Sequence, residues 1–312
     1  MSSTGPWQRL LPVAAVIMLL AACAPKRPEP AKPLYGASFQ SLANPVFVEI
    51  NKGLEETVAA RGARLVTLDA QFNHRKQMED ITELLQQQPS AIFVNPVNWE
   101  GIKDALIAAK RKQVPVIIVD APVSDPDLVL CQVASDNVEA GHLACRALAQ
   151  VKPSAKIAIL HLSTNRACID RVTGFKAEMA SYPGMSILDT QEGHGSAEGA
   201  RPVMAELLKR FAELDAVFPI NDPSAVGAVS AIEEAGRSGQ IAVVTVDGSP
   251  DGIAAVRAGR LLATVAQFPR DIGRVAAGKA LAHFDGMQIE KNTKMPVKLI
   301  TRENAAEVPA QP

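Results

Sequence analysis

Polar residues recur at one kind of place in this chain, directly after short apolar runs. Asp120 closes VPVIIVD, Asn221 and Asp222 close AVFPIND, Asp247 closes IAVVTVD ahead of Gly248, and Gln267 closes LLATVAQ. Asn44 follows LYGASF and precedes a proline. Ionised carboxylates only accept hydrogen bonds, whereas amides both donate and accept, and bonds to a charged partner are the stronger ones. Such a set suits a neutral ligand rich in hydroxyl groups. Asp and Asn in these positions also cap helices and make turns, and Asp247-Gly248 reads equally as a turn. The weight therefore rests on the set and not on any one member.

Other constellations carry less. GHGSAEG opens a helix after an apolar run, but its spacing is G-x-G-x-x-x-G and no Lys-Ser or Lys-Thr follows, so it is neither a dinucleotide fingerprint nor a phosphate loop. His142 and Cys145 lie three apart on a helical stretch without a second pair at metal-ligand spacing, so no metal is expected. No Ser-His-Asp or Cys-His set stands out, and no acid and base in visibly distinct surroundings mark an enzyme; neither catalytic residues nor a cofactor are expected. Cys131, Cys145 and Cys168 are odd in number, which leaves room for one disulfide and one free thiol, with Cys131 and Cys145 the candidate pair.

The elements that must position the polar set alternate along the chain. Apolar runs at LYGASF, ARLVTL, AIFVN and VPVIIVD are separated by amphipathic stretches over 45–61, 74–88 and 101–113. Pro45 suits a first helical position and Gly62 a helix end. VPVIIVD is apolar throughout, as a strand buried on both faces should be. After a connecting piece around DLVLCQVASDN, helices over 138–151, 170–181, 197–213, 224–236, 250–259 and 270–285 alternate with KIAILHL, MSILDT, AVFPIND, IAVVTVD and LLATVAQ, and PVKLIT ends the series. Two runs of βα units predict two doubly wound parallel sheets. Such sheets bind ligands outside the carboxyl ends of their strands, where the polar set falls.

The chain has 312 residues, 47% hydrophobic and 21% charged, with a net charge of -1. That is globular composition with no basic field for nucleic acid. The one long apolar run, Leu10 to Ala22, follows Arg9 and is broken by Pro12. It is too short to span a bilayer, which takes roughly 20 residues, and reads as a secretory signal over 1–22. Leu20-Ala21-Ala22-Cys23 resembles a bacterial lipobox, in which cleavage leaves the cysteine first and a lipid on its sulfur. The proline-rich segment 23–33 then reads as an extended tether. The expected location is the periplasm or cell surface, held to a membrane through Cys23.

ANPVF, VIIVDAP, ASDNVEAG, DRVTGF, AVFPIND, VTVDGSPDG and ATVAQFPRDIG occur in order over about residues 34–302. Together they resemble bacterial periplasmic sugar-binding proteins of type I, nearest to the ribose-binding kind and related to the LacI-type repressor core. The resemblance implies two similar doubly wound α/β lobes joined by a three-strand hinge, 34–135 plus 268–296 and 136–267 plus 297–304, with a tail over 305–312. It implies a monomer that closes on one small sugar or polyol and delivers it to an ABC permease, or presents it to a chemoreceptor or sensor kinase. It assigns hydroxyl reading to Asn44, Asp120, Asn221, Asp247 and Gln267, and an apolar contact to Phe47. A repressor is excluded by the secretion signal where a DNA-binding headpiece would stand.

The departures bear on the ligand. Val46 precedes Phe47 where the family has two aromatics, Ala121 and Ile169 replace arginines and leave Arg171, and Val246 replaces an aromatic before Asp247. Gly-rich QEGHGSAEG, with His194, stands where a ring would stack. Aromatics cover the apolar faces of sugar rings, so this site is expected to take an acyclic polyol, a modified or smaller sugar, or another small polar metabolite. Trp99, Phe39 and His194 are candidates for replacement surface.

Overall fold

The computed structural model describes residues 1–2 and 32–307. The secretory leader, Cys23, nearly all of the tether and residues 308–312 of the tail lie outside the described residues.

Two six-stranded sheets form the frame. The first contains β1 (Leu34–Phe39), β2 (Arg64–Asp69), β3 (Ala91–Val94), β4 (Val116–Val119), β5 (Cys131–Ser135) and β11 (Asn292–Met295), in the order β11-β5-β4-β3-β1-β2, all parallel. The second contains β6 (Lys156–His161), β7 (Ser186–Glu192), β8 (Ala216–Pro219), β9 (Ala242–Asp247), β10 (Ala263–Ala266) and β12 (Lys298–Thr301), in the order β12-β10-β9-β8-β6-β7. Only β12 runs antiparallel to its neighbour among the described pairs. In each sheet the strand order reverses beside the first strand, β1 or β6, which is where open sheets of this kind form a crevice.

Each sheet is buried on both faces. Helices α1 (Pro45–Ala59) and α9 (Pro269–Phe284) cover one face of the first sheet, and α2 (His74–Gln86) and α3 (Lys103–Arg111) the other. On the second sheet α4 (Asn137–Val151) and α5 (Arg166–Met179) lie opposite α6 (Ala197–Arg210), α7 (Asp222–Glu234) and α8 (Pro250–Arg257). All four residues of β3 and of β4 are buried, which is why these strands read as unbroken apolar runs.

Three differences from the sequence reading matter for the site. The supposed connection around DLVLCQVASDN contains β5, whose five residues are all buried although Gln132 and Ser135 hid the pattern. The edge strand β11, NTKM, carries no apolar signal and alternates exposed and half-buried positions. Helix α5 begins at Arg166 and not near 170, because the Asn165 side chain caps it by accepting from the Cys168 N–H at 3.2 Å. That earlier start brings Asn165, Ala167 and Cys168 to the carboxyl end of β6.

The chain passes between the sheets three times, after β5, after β10 and between β11 and β12. These passages are bonded to one another: the Ser135 hydroxyl donates to Gln267 Oε1 at 2.7 Å, and the Asp136 N–H donates to the Met295 carbonyl at 2.9 Å. In the second lobe α4 and α5 touch backbone to backbone. A Cβ on Gly141 would sit 2.0 Å from the Arg171 carbonyl oxygen, so only glycine lets α5 approach closely enough to aim Arg171 at the cleft.

Candidate ligand-binding cleft

The carboxyl ends of both sheets face a shared cleft with about 370 Å³ of space free of atoms, the solvent at its mouth included. Seven residues singled out in the sequence line it: Asn44, Phe47, Asp120, Arg171, Asn221, Asp247 and Gln267. They come from both lobes. Asn44, Phe47 and Asp120 follow β1 and β4, while the other four belong to or follow α5, β8, β9 and β10.

The two carboxylates differ from the amides in one respect. Asp120 is 3% exposed; its Oδ2 accepts from Asn95 Nδ2 at 3.1 Å, and its Oδ1 has no partner. Asp247 is 4% exposed; its Oδ1 accepts from Gln267 Nε2 at 2.8 Å and from Arg171 Nη1 at 3.3 Å, and its Oδ2 has no partner. Buried acceptors are almost always satisfied, so one unpartnered oxygen on each side of the cleft is free to accept from a donor placed there. Both aspartates sit at positive φ, 67° and 134°, conformations that L-residues adopt rarely and that concentrate at functional sites. Burial pushes the Asp120 carboxyl up to about 6, with Arg171 opposing the shift and Asp247 adding to it. Burial likewise raises Asp247, against the pull of Arg171.

The amides are largely occupied with the protein. Asn44 Oδ1 caps α1 by accepting from the Val46 N–H at 3.0 Å. Asn221 caps α7 through Oδ1, accepting from the Ser224 N–H at 3.0 Å, and its Nδ2 donates to the Gly195 carbonyl at 2.9 Å. Gln267 spends both ends of its amide, on Asp247 and Ser135. Arg171 is held through two of its three nitrogens: Nε donates to Asn137 Oδ1 at 2.9 Å, and Nη1 donates to the Ile220 carbonyl at 2.8 Å and to Asp247. Asp222, beside Asn221, turns away from the cavity and accepts from Ser249 and Thr264; burial raises its carboxyl, and Asp247 adds to the rise.

The apolar wall is made of Val46, Phe47, Phe72, Leu162, Ala167 and Cys168. Phe72 was not foreseen. It sits three residues past the end of β2, in a two-residue turn with Gln71, both at positive φ. Gln40, Asn95 and Asn165 were also missed. Each directly follows a strand end or caps the next helix, so the rule that selected Asp120 would have selected them. The replacement surfaces proposed from sequence are elsewhere. Phe39 lies wholly inside the first lobe's core, its ring centroid 6.3 Å from that of Phe47. His194 is exposed on a turn at φ 55° and does not line the cavity. The three cysteines are unpaired: Cys131 lies in the first sheet and Cys145 on α4 of the second lobe, and burial pushes the thiols up to about 11, 12 and 12 at Cys131, Cys145 and Cys168.

Trp99 also stays outside the cavity lining but spans the cleft mouth. Its backbone N–H donates to the Thr164 carbonyl of the other lobe at 3.1 Å, and the Arg166 guanidinium lies 5.2 Å over its ring. Asn165 Nδ2 reaches Gln40 Oε1 across the same seam at 3.5 Å. These bonds exist only while the lobes touch. A cation–π contact of this exposure contributes about 0.5–1 kcal/mol, so Trp99→Ala is expected to weaken ligand binding roughly 2- to 5-fold. The loss should fall on the dissociation rate, measured by stopped flow, and an unchanged rate would remove Trp99 from the closure contacts.

A family model described as "Periplasmic binding protein domain" matches residues 35–288. The chain is 32% identical to a ribose import binding protein of Bacillus subtilis over 298 residues, covering 92% of this chain and 96% of that one. Among solved structures, the binding component of the arabinose ABC transporter from Shewanella sp. ANA-3, bound to α- and β-L-arabinofuranose, superposes with a TM-score of 0.82 at 31% identity, over 88% of this chain and 93% of that one. A solute-binding protein of an Agrobacterium vitis ABC transporter, bound with α-D-tagatopyranose, superposes with a TM-score of 0.85 at 27% identity, over 89% and 97%.

Proposed function

The chain belongs to the periplasmic binding protein family, and from that premise we propose that it captures a single sugar or polyol between its lobes and delivers it to an ABC importer. The observation that carries the reading is the pair of vacant carboxylate oxygens, Asp120 Oδ1 and Asp247 Oδ2, one from each lobe, on an enclosed cavity walled on another side by Phe47. Hydroxyl groups satisfy both at once and so bridge the lobes, which makes closure conditional on ligand. Asn44 and Phe47 complete the first lobe's share, and Asn221 and Gln267 hold the second lobe's framework. The lobes, 34–135 plus 268–296 and 136–267 plus 297–304, rotate about the three passages between the sheets.

Relatives that bind ribose, arabinofuranose and tagatopyranose support a monosaccharide-sized ligand. Binding to the folded state raises its melting temperature by mass action. Thermal shift against pentoses, hexoses, furanosyl compounds and polyols is the test: at least one should raise the melting temperature by several degrees at millimolar concentration. A well-folded sample that responds to none overturns the proposal.

The same reading anchors the protein outside the cytoplasm by a lipid on Cys23. Cys23→Ser is expected to move it from the membrane fraction of the producing bacterium to the soluble extracytoplasmic fraction with ligand affinity unchanged. Retention in the membrane fraction argues against the anchor.

A further inference from the structure

The charge balance of the cavity narrows the ligand class. Among the described lining residues there are two anions, Asp120 and Asp247, and one cation, Arg171. The cation belongs to Asp247: its guanidinium donates to that carboxylate, to Asn137 and to the Ile220 carbonyl, all within 3.3 Å. Asp120 has the Asn95 amide on one oxygen and nothing on the other, at 3% exposure. Its backbone is held at φ 67°, with the N–H donated to the Val133 carbonyl at 2.9 Å, which fixes the strand end that presents the carboxylate. A carboxylate buried without a countercharge is costly, and a paired one much less so. Arg171 also acts on Asp120 through space but is bonded to Asp247, so a wholly neutral ligand leaves two carboxylates in the cleft sharing one guanidinium.

Resting on the proposed function, we infer that the ligand is an aminated sugar or amino polyol whose ammonium group pairs with Asp120 Oδ1 while its hydroxyl groups meet Asp247 Oδ2. An ammonium carries three donors and one positive charge, which supplies both the missing hydrogen bond and the missing charge. The remaining apolar wall, with Phe47 and Phe72, covers the C–H face of the same small frame.

The test is titration calorimetry at pH 7 with matched pairs: D-glucosamine and D-glucose, D-galactosamine and D-galactose, 1-amino-1-deoxy-D-sorbitol and D-sorbitol. At least one amine should bind 10-fold or more tighter than its hydroxyl parent, and Asp120→Asn, which keeps the shape of the side chain, should abolish that preference. Three results overturn the inference while leaving the proposed function standing: hydroxyl parents that bind as tightly as their amines, an amine preference that survives Asp120→Asn, or neutral ligands that bind Asp120→Asn as tightly as the parent protein while amines bind neither. If no member of the pairs binds and the wider saccharide panel also gives no shift, both readings fall together.

Discussion

Asp120→Ala is expected to cost about 2–4 kcal/mol of ligand binding, the loss that follows when a charged acceptor is removed from a closed, water-poor cleft, while leaving the ligand-free protein at least as stable as before. The two halves of this expectation have one cause. Asp120 is held at about 6 against an ordinary 3.8, chiefly by burial. A carboxyl raised in the folded state contributes stability that is present below 3.8 and lost as the pH rises through about 6. At neutral pH it therefore opposes the closed empty form, and a ligand donor reverses the penalty. Binding follows the opposite sign: donors pair with the ionised carboxylate, protons compete with them, and affinity should hold above pH 6 and fall as the pH drops from about 6 toward 3.8. Calorimetry at pH 7.5 and 4.5, beside melting curves of the empty protein, reads both trends, and Asp120→Asn should flatten them. Affinity that is level across this interval, or an Asp120→Ala variant that binds like the parent, removes Asp120 from the ligand.

Most of the cleft's polar lining was legible in the chain. Alternating apolar and amphipathic segments placed strand ends at Asp120, Asp247 and Gln267 because β4, β9 and β10 are short and mostly apolar. Strands β5 and β11 escaped because their pairing does not depend on apolar runs: β5 carries Gln132 and Ser135 inward, and β11 is an edge. Asn44 and Asn221 were equally compatible with capping and with ligand contact, and the geometry gives them the cap while also bringing them to the cavity. Phe72 had no signal, since its place depends on a positive-φ turn and not on periodicity. Trp99 sits where its strand end predicts, yet the sequence could not show that the residues opposite it, Thr164 and Arg166, would come from the other lobe.

Arg171→Met is expected to lower the melting temperature by roughly 5–15 °C, because removing one member of a buried ion pair costs about 3–5 kcal/mol. Arg171 belongs to a closed ring of bonds. Its Nε donates to Asn137 Oδ1, Asn137 Nδ2 donates to the Ser135 carbonyl at 3.1 Å, the Ser135 hydroxyl donates to Gln267 Oε1, Gln267 Nε2 donates to Asp247 Oδ1, and Arg171 Nη1 returns to Asp247. Ser135 and Gln267 stand at two of the passages between the sheets, so the ring ties the hinge to a carboxylate that lines the cleft. Methionine fills the space but leaves Asp247 charged and the Ile220 carbonyl without its donor. Asp247→Asn added to Arg171→Met removes the stranded charge and should recover part of the stability, since neutral partners of matched shape are nearly neutral in cost. It should recover none of the binding, because the acceptor that bridges the lobes is gone. Arg171→Lys should fall between, as an ammonium cannot span Asn137, Ile220 and Asp247 with one planar fork. The comparison separates the two duties of the pair: melting reports the ring, calorimetry reports the cleft. If Arg171→Met melts with the parent, the ring is not a structural tie; if the double variant binds ligand normally, Asp247 does not bridge the lobes.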